Sequence, residues 1–258
     1  MNNTHTPRKR FGQHFLKDAN VLNKMIREIG LKPDDHVVEI GPGQGALTDY
    51  LLQAVNHVNA VELDRDLVVF LREKYLPTQL TVHADDALRF NYATLSQKPR
   101  DLRIVGNLPY NISTPLLFHL FDYNHAICDM HFMLQKEVVL RLTAEVNTVD
   151  YGRLSIMSQY FCDNAYLFTV LPHSFNPPPK VDSAIVRLIP KTDLPLNANQ
   201  FQHFSAIVKE AFNYRRKKLG NSLKRLVSVE QLAACDIDPE LRPQEVSIDG
   251  YVRIAKSL

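Results

Sequence analysis

Short apolar runs alternate with segments of helical period from residue 36 to residue 134, and this alternation constrains the fold more than any other feature of the chain. HVVEI (36–40), VNAVELD (58–64), QLTVHADD (79–86), LRIVGN (102–107) and ICDMHFML (127–134) read as strands. Between them ALTDYLLQAV, DLVVFLREKY (66–75) and TPLLFHLFDY (114–123) repeat their apolar residues at a period of about 3.6. Strands joined through helices by short links must run parallel, so the expected class is α/β, an open sheet covered by helices. Ahead of this region Val21, Leu22, Met25, Ile26 and Ile29 predict a helix capped by Asp18 and stopped by Gly30. AYLFTVL and SAIVRLIP are expected as late strands, with an antiparallel course open to them. The three prolines of HSFNPPPKVD, which lies between the two, predict a stiff loop without regular structure.

After Pro190 the texture changes. KTDLPLNAN reads as a linker, and from Gln200 onward the patterns are helical. The 258 residues are therefore expected to divide into a sheet domain over 1–190, with a basic N-terminal segment, and a small all-helical domain over 191–258. The 3 cysteines are dispersed and odd in number, which argues against a disulfide framework and for a reducing, cytoplasmic setting. With no HExxH or CxxC, no metal is expected, and Cys128 with His131 reads as core packing. The start MNNTHTPRKRFGQHF lacks the apolar stretch of a secretory signal, and no apolar run approaches the roughly 18–20 residues of a membrane span, so no membrane partner is expected.

Ligands of open parallel sheets sit outside the carboxyl ends of the strands. Four of those ends here carry distinctive residues. In EIGPGQGALT (39–48), Gly41, Gly43 and Gly45 allow a tight turn and a close backbone approach; because position 46 is Ala, the pattern is not the GxGxxG of nicotinamide-binding sites. Glu62 follows about twenty residues later, where an acid can accept from both hydroxyls of a ribose. The two together indicate an adenosine-containing cofactor. In HADDALRF either Asp85 or Asp86 can accept from an adenine amine, with Asp86 favoured by register and a helix cap as the plain alternative.

The fourth end is NLPY. An adenine amine is a weak nucleophile because its lone pair is delocalised into the ring. The Asn107 side-chain oxygen and the Leu108 carbonyl form an acceptor pair that can hold the amine protons; Pro109 fixes the direction of that carbonyl, and Tyr110 offers a face for a base. Such a pocket needs no cysteine nucleophile or strong base, and S-adenosyl-L-methionine is the cofactor it implies.

RKRFGQHFL, EIGPGQGALT, VELDRD, NLPYNIST, MLQKEV, YGRLS and FNPPPKVDSA together resemble the ribosomal RNA adenine dimethyltransferase family, from about residue 8 nearly to the end of the chain. The resemblance implies a Rossmann-like S-adenosylmethionine-dependent methyltransferase sheet. It also implies transfer of methyl groups to N6 of two adjacent adenosines near the 3′ end of 16S rRNA in the small ribosomal subunit, by a chain expected to act as a monomer. By motif position it puts His14, Leu16, Gly41, Gly43, Glu62, Asp86 and Asn107 around the cofactor, and Tyr110 with Phe175 around the target adenine. His14 stands where some relatives carry Asn, and the plain alternative for Phe175 is core packing. A net charge of +2 does not by itself imply nucleic acid, but the charge is clustered. Arg8, Lys9 and Arg10, and Arg215, Arg216, Lys217 and Lys218 within KEAFNYRRKKLGNSLKR (209–225), suit phosphate contacts better than a plain solvated face.

Overall fold

The computed structural model describes residues 14–258, so Arg8, Lys9 and Arg10 lie outside the described residues. The chain opens with β1 (Phe15–Leu16) and α1 (Ala19–Ile29), then alternates β2 (His36–Ile40), α2 (Ala46–Leu51), β3 (Val58–Glu62), α3 (Arg65–Lys74), β4 (Leu80–Ala84), β5 (Leu102–Asn107), α4 (Ser113–Phe121) and β6 (Ile127–Gln135). Helices α5 (Lys136–Leu142) and α6 (Arg153–Phe161) follow, then β7 (Cys162–Val170), β8 (Phe175–Asn176) and β9 (Ser183–Pro190). The remainder is helical: α7 (Ala198–Asn213), α8 (Leu219–Ser222), α9 (Val229–Ala234) and α10 (Ile248–Lys256).

The sheet runs β4-β3-β2-β5-β6-β9-β7, with β2 through β6 parallel and β9 antiparallel to β6. Its inner strands are buried on both faces: Val37, Val38, Ile104 and Val105 have 0% exposure, as continuous apolar runs require. The chain leaves β2 toward β3 and β4, then returns to the other flank of β2 with β5. That reversal opens a crevice at the carboxyl ends of β2 and β5. Gly106 lets these two strands approach, since a Cβ there would stand 2.6 Å from the Ile40 carbonyl oxygen.

The ends of α1 follow from the sequence as expected, whereas the cluster beside them, around Arg103, does not show in it. The Asp18 carboxylate accepts from the Asn20 and Val21 amides to cap α1, and Gly30 ends it in the left-handed conformation. At the amino end of β5, Arg103 donates to Asp129 on β6 (2.6 and 3.1 Å), to Asp35 (2.7 Å) and to the Ile29 and Gly30 carbonyls (2.6 and 3.2 Å). One side chain therefore donates to the carbonyl acceptors at the end of α1 and neutralises two carboxylates.

By its internal contacts the chain forms two compact units, Met1–Val139 with Asn164–Pro190, and Leu140–Asp163 with Lys191–Leu258. The second differs from the sequence boundary at 190, which leaves 140–163 with the sheet. The physical reason is aromatic packing: the Tyr160 ring lies 4.8 Å from Phe204 and 5.3 Å from Phe201, and Phe161 lies 5.2 Å from Phe201. Gln159 also donates to the Leu142 and Ala144 carbonyls, and the Lys191 ammonium donates to the Gln159 carbonyl. RLSIMSQYF spreads apolar residues around the whole helix, so it gives no stripe from which its partner can be read. Among the described residues no helix is long and apolar enough to cross a membrane, and no group of three His, Cys, Asp or Glu is placed to hold a metal ion.

Candidate active site

A cavity of about 230 Å³ lies at the carboxyl ends of β2 to β5. The glycine turn, the residues after β3 and β4, the NLPY segment and the β1 strand all line it. Gly41 has φ 65° and nothing within 4 Å of where a Cβ would stand, so a side chain there would be strained and would project into open space. The turn is held from behind. The Tyr75 hydroxyl donates to Asp49 (2.6 Å) and to the Gly45 carbonyl (3.1 Å), and Lys74 bridges Asp49 and the Gln44 carbonyl.

Glu62 ends β3 facing this turn. Its Oε2 accepts from the Gly43 amide (3.3 Å) and its Oε1 from the Asp64 amide (2.9 Å). Burial pushes its carboxyl above the usual range, against the pull of those amides. Asp85 and Asp86 both line the cavity. Asp86 also caps its own turn, its Oδ1 accepting from the Leu88 amide at 3.0 Å, which is the plain alternative for this residue.

Sequence reasoning missed Glu39. It lies in β2 at 2% exposure, lines the same cavity and accepts from the Thr48 hydroxyl at 2.5 Å. The available signal was an acid inside the otherwise apolar HVVEI. Burial drives its carboxyl up to about 8; the Thr48 hydrogen bond opposes this, and the charges of Glu62 and Asp49 add to it. A carboxyl that binds its proton more tightly folded than unfolded makes stability fall as pH rises from the unfolded value of 4.5 to about 8, where the loss levels off. Glu39→Gln, which keeps an acceptor for Thr48, is expected to flatten that fall by up to ~1.4 kcal/mol per pH unit. Urea unfolding of both proteins at pH values across that window checks it, and equal slopes would remove Glu39 as the cause.

NLPY closes the crevice at β5. The Asn107 Nδ2 donates to the His14 carbonyl at 3.0 Å, the Leu108 amide to the Met133 carbonyl at 3.2 Å, and the Tyr110 hydroxyl shares a 2.8 Å bond with Ser183 Oγ. Burial raises the Tyr110 hydroxyl pKa, so the ring is a neutral face. β1 pairs antiparallel with β8, Phe15 opposite Asn176 and Leu16 opposite Phe175, and the His14 Nδ1 donates to the Pro177 carbonyl at 2.8 Å. This pairing brings His14 and Leu16 to the cavity beside Gly41, Gly43, Glu62, Asp86, Asn107, Leu108, Pro109 and Tyr110. Phe175 departs from expectation: its ring is 2% exposed and packs in the core with Leu16, because the strand pairing turns it inward.

Among the basic residues, Arg215 donates to the Val149 and Thr148 carbonyls, Lys218 pairs with Glu240, and Lys217 stands 4.7 Å over the Tyr214 ring. Arg216, Lys217, Lys218, Lys224 and Arg225 are exposed.

The residues fit a bound adenosine-type cofactor: a turn that is open at the Gly41 Cβ position, a carboxylate at the next strand end, and an acid just past the strand after it. Comparison with known proteins agrees. The model of the family described as "Ribosomal RNA adenine dimethylase" matches residues 4–258. A ribosomal RNA small subunit methyltransferase A from Coxiella burnetii (strain RSA 493 / Nine Mile phase I) is 56% identical over 253 residues, 97% of this chain and 97% of that protein. The protein of that name from Pseudomonas syringae pv. tomato is 52% identical, covering 98% and 95%. Among solved structures, a dimethyladenosine transferase from Plasmodium falciparum superposes with a TM-score of 0.82 at 29% identity, over 93% of this chain and 96% of that one. The 23S rRNA methyltransferase ErmE does so with a TM-score of 0.73 at 25% identity, over 95% and 99%.

Proposed function

From the premise that this chain belongs to the ribosomal RNA adenine dimethylase family and is an S-adenosylmethionine-dependent rRNA methyltransferase, we propose how its cavity acts on two adjacent adenosines near the 3′ end of 16S rRNA. The observation that carries the reading is the Asn107 amide. With Nδ2 engaged by the His14 carbonyl, Oδ1 is the atom of that amide left to accept, and it stands in one cavity with Glu62 and the glycine turn.

S-adenosylmethionine, when bound, supplies an electrophilic methyl group. Glu62 would accept from its ribose hydroxyls and Asp86 from its adenine amine; Gly41, Gly43 and Leu16 would line its pocket, Gly41 leaving open room and Leu16 an apolar wall. On the substrate side, Asn107 Oδ1 and the Leu108 carbonyl hold the protons of N6 and turn its lone pair toward the methyl group. Pro109 keeps that carbonyl aimed, and Tyr110 stacks on the base. After one transfer the amine has a single proton, so the second transfer uses one acceptor of the pair.

The second compact unit helps hold the RNA through the exposed side chains of Arg216, Lys217, Lys224 and Arg225, with Arg8, Lys9 and Arg10 adding phosphate contacts. In this reading the first compact unit carries catalysis and the second, 140–163 with 191–258, grips RNA. A ribosomal substrate supports a cytoplasmic reaction in small-subunit biogenesis, on which we expect the chain to act as a monomer.

The test is methyl transfer from labelled S-adenosylmethionine to unmodified small ribosomal subunits, followed by digestion and identification of nucleosides. Dimethyladenosine at two neighbouring positions is expected; label confined to other nucleosides would refute the reading. Glu62→Gln is expected to weaken cofactor binding about 10- to 100-fold by calorimetry, since hydrogen bonds to a charged acceptor contribute about 1.5–3 kcal/mol.

A further inference from the structure

The FNPPPKVDSA segment takes no part in the cavity wall: among the described residues none beyond Met133 lines it, and Phe175 is turned into the core. One residue of the segment nevertheless reaches the site. Ser183 opens β9 at 0% exposure, opposite Gln135 of β6, and beside it the Asp182 carbonyl accepts from the Lys136 amide at 2.9 Å. From this fixed ladder the Ser183 hydroxyl shares its 2.8 Å bond with the hydroxyl of Tyr110.

Tyr110 is held at two further points. Its carbonyl accepts from the hydroxyl of Ser113, itself 2% exposed, at 3.1 Å. The His14 ring packs against the Tyr110 ring, with centroids 5.9 Å apart and planes 29° from parallel. The Ser113 bond fixes the backbone, and the His14 ring blocks one side. What remains is the swing of the Tyr110 ring about Cα–Cβ away from His14, which carries the hydroxyl through the widest arc. A bond at that hydroxyl is the contact best placed to arrest it. A ring ordered before the base arrives gives up no conformational freedom at binding, and a near-attack geometry at N6 depends on the plane in which the base is held.

We infer that Ser183 is a positioning residue for methyl transfer: its hydroxyl holds the Tyr110 ring in the orientation on which the target adenine stacks, so that N6 meets Asn107 Oδ1 and the Leu108 carbonyl. The inference rests on the proposed function, in which Tyr110 stacks on an RNA adenine. It gives PPPKVDSA a task that needs no contact with the substrate, and it accounts for a fully buried hydroxyl at the head of the apolar run SAIVRLIP.

The experiment compares wild type with Ser183→Ala, Tyr110→Phe and the double variant on unmodified small subunits, reading kcat and KM for the subunit and, separately, the Kd of S-adenosylmethionine. Tyr110→Phe keeps the stacking face and removes only the tether. Each single variant is expected to lower kcat about 3- to 10-fold, the range of one neutral hydrogen bond. The double variant should stay within about 2-fold of the singles, because both break the same bond. The KM for the subunit, which phosphate contacts dominate, and the cofactor Kd should each stay within about 2-fold of wild type. A double variant whose loss is the product of the two, about 10- to 100-fold, would show two separate roles and overturn the inference. So would a loss of kcat matched by a rise in the cofactor Kd, as looser packing of the sheet would give. Should Ser183→Ala not fold, Tyr110→Phe decides by the same readings, and a full rate overturns the inference. Wild type that methylates no rRNA overturns the proposed function and this inference with it, whereas active wild type beside an equally active Ser183→Ala overturns the inference alone.

Discussion

Asn107→Ala is expected to lower kcat for rRNA methylation about 10²- to 10³-fold, the usual cost of removing one preorganised polar group that contacts the reacting atoms. The amide acts at both ends. Nδ2 binds the His14 carbonyl, and this leaves Oδ1 as the acceptor for an N6 proton. Alanine removes the acceptor, so the lone pair of N6 stays delocalised in the ring when the base arrives. Because Asn107 also lines the cavity proposed to hold the cofactor, the Kd of S-adenosylmethionine is expected to rise, but by less than about 10-fold, since Glu62 and the glycine turn remain. Single-turnover transfer with saturating cofactor separates the two effects. A rate within a few fold of wild type would show that the amide does not hold the amine. A cofactor affinity that falls as far as the rate would instead show that the variant had released the His14 segment from the pocket.

The largest effect on stability is expected at Arg103. Its side chain is 13% exposed and neutralises Asp35 and Asp129, themselves 21% and 13% exposed, while also satisfying two carbonyls at the end of α1. Arg103→Ala leaves two partly buried carboxylates without their cation, and removing one partner of such a cluster costs about 3–5 kcal/mol. Urea unfolding at neutral pH measures it, and a loss under about 1 kcal/mol would mean that solvent screens the cluster. The pH dependence has a definite sign. Burial pushes the Asp35 carboxyl up, but the hydrogen bonds from Arg103 and the Lys32 amide and the charge of Arg103 outweigh it, and the net direction is down. A depressed carboxyl contributes stability that is present above its unfolded value of 3.8 and is lost as pH falls through the lower folded value. Wild type should therefore lose that contribution below about pH 4, where Arg103→Ala, lacking it already, declines less steeply. Arg103 stands at the amino end of β5 and Asn107 at its carboxyl end, so methyl transfer well below the melting temperature should change little.

Both variants lie on one strand, yet they differ in how far they can be read from sequence. NLPY is a local signal: an apolar run stops, and an amide, a proline and an aromatic follow at once. Arg103 sits inside the apolar run LRIVGN, where the sequence shows a charge but not the two carboxylates, at positions 35 and 129, that surround it. Glu39 behaves in the same way. Its acid is visible in HVVEI, but the burial that raises its pKa is set by neighbours on other elements.

The sequence by itself determined what depends on neighbours close along the chain. The period of its apolar residues specified the parallel sheet and its helices; Asp18 and Gly30 specified the ends of α1; and the spacing from the glycine turn to Glu62 brought the two to one crevice, because these are consequences of backbone geometry and short-range hydrogen bonding. The tertiary structure alone decided the rest. Pairing of Phe15–Leu16 with Phe175–Asn176 joins segments far apart in sequence, and by pleat alternation it turns Phe175 into the core while bringing His14 to Tyr110. Packing of 140–163 with the later helices rests on aromatic rings that meet only once the chain has folded back. No periodicity encodes such contacts, since they depend on which surfaces are left to bury after the local elements have formed.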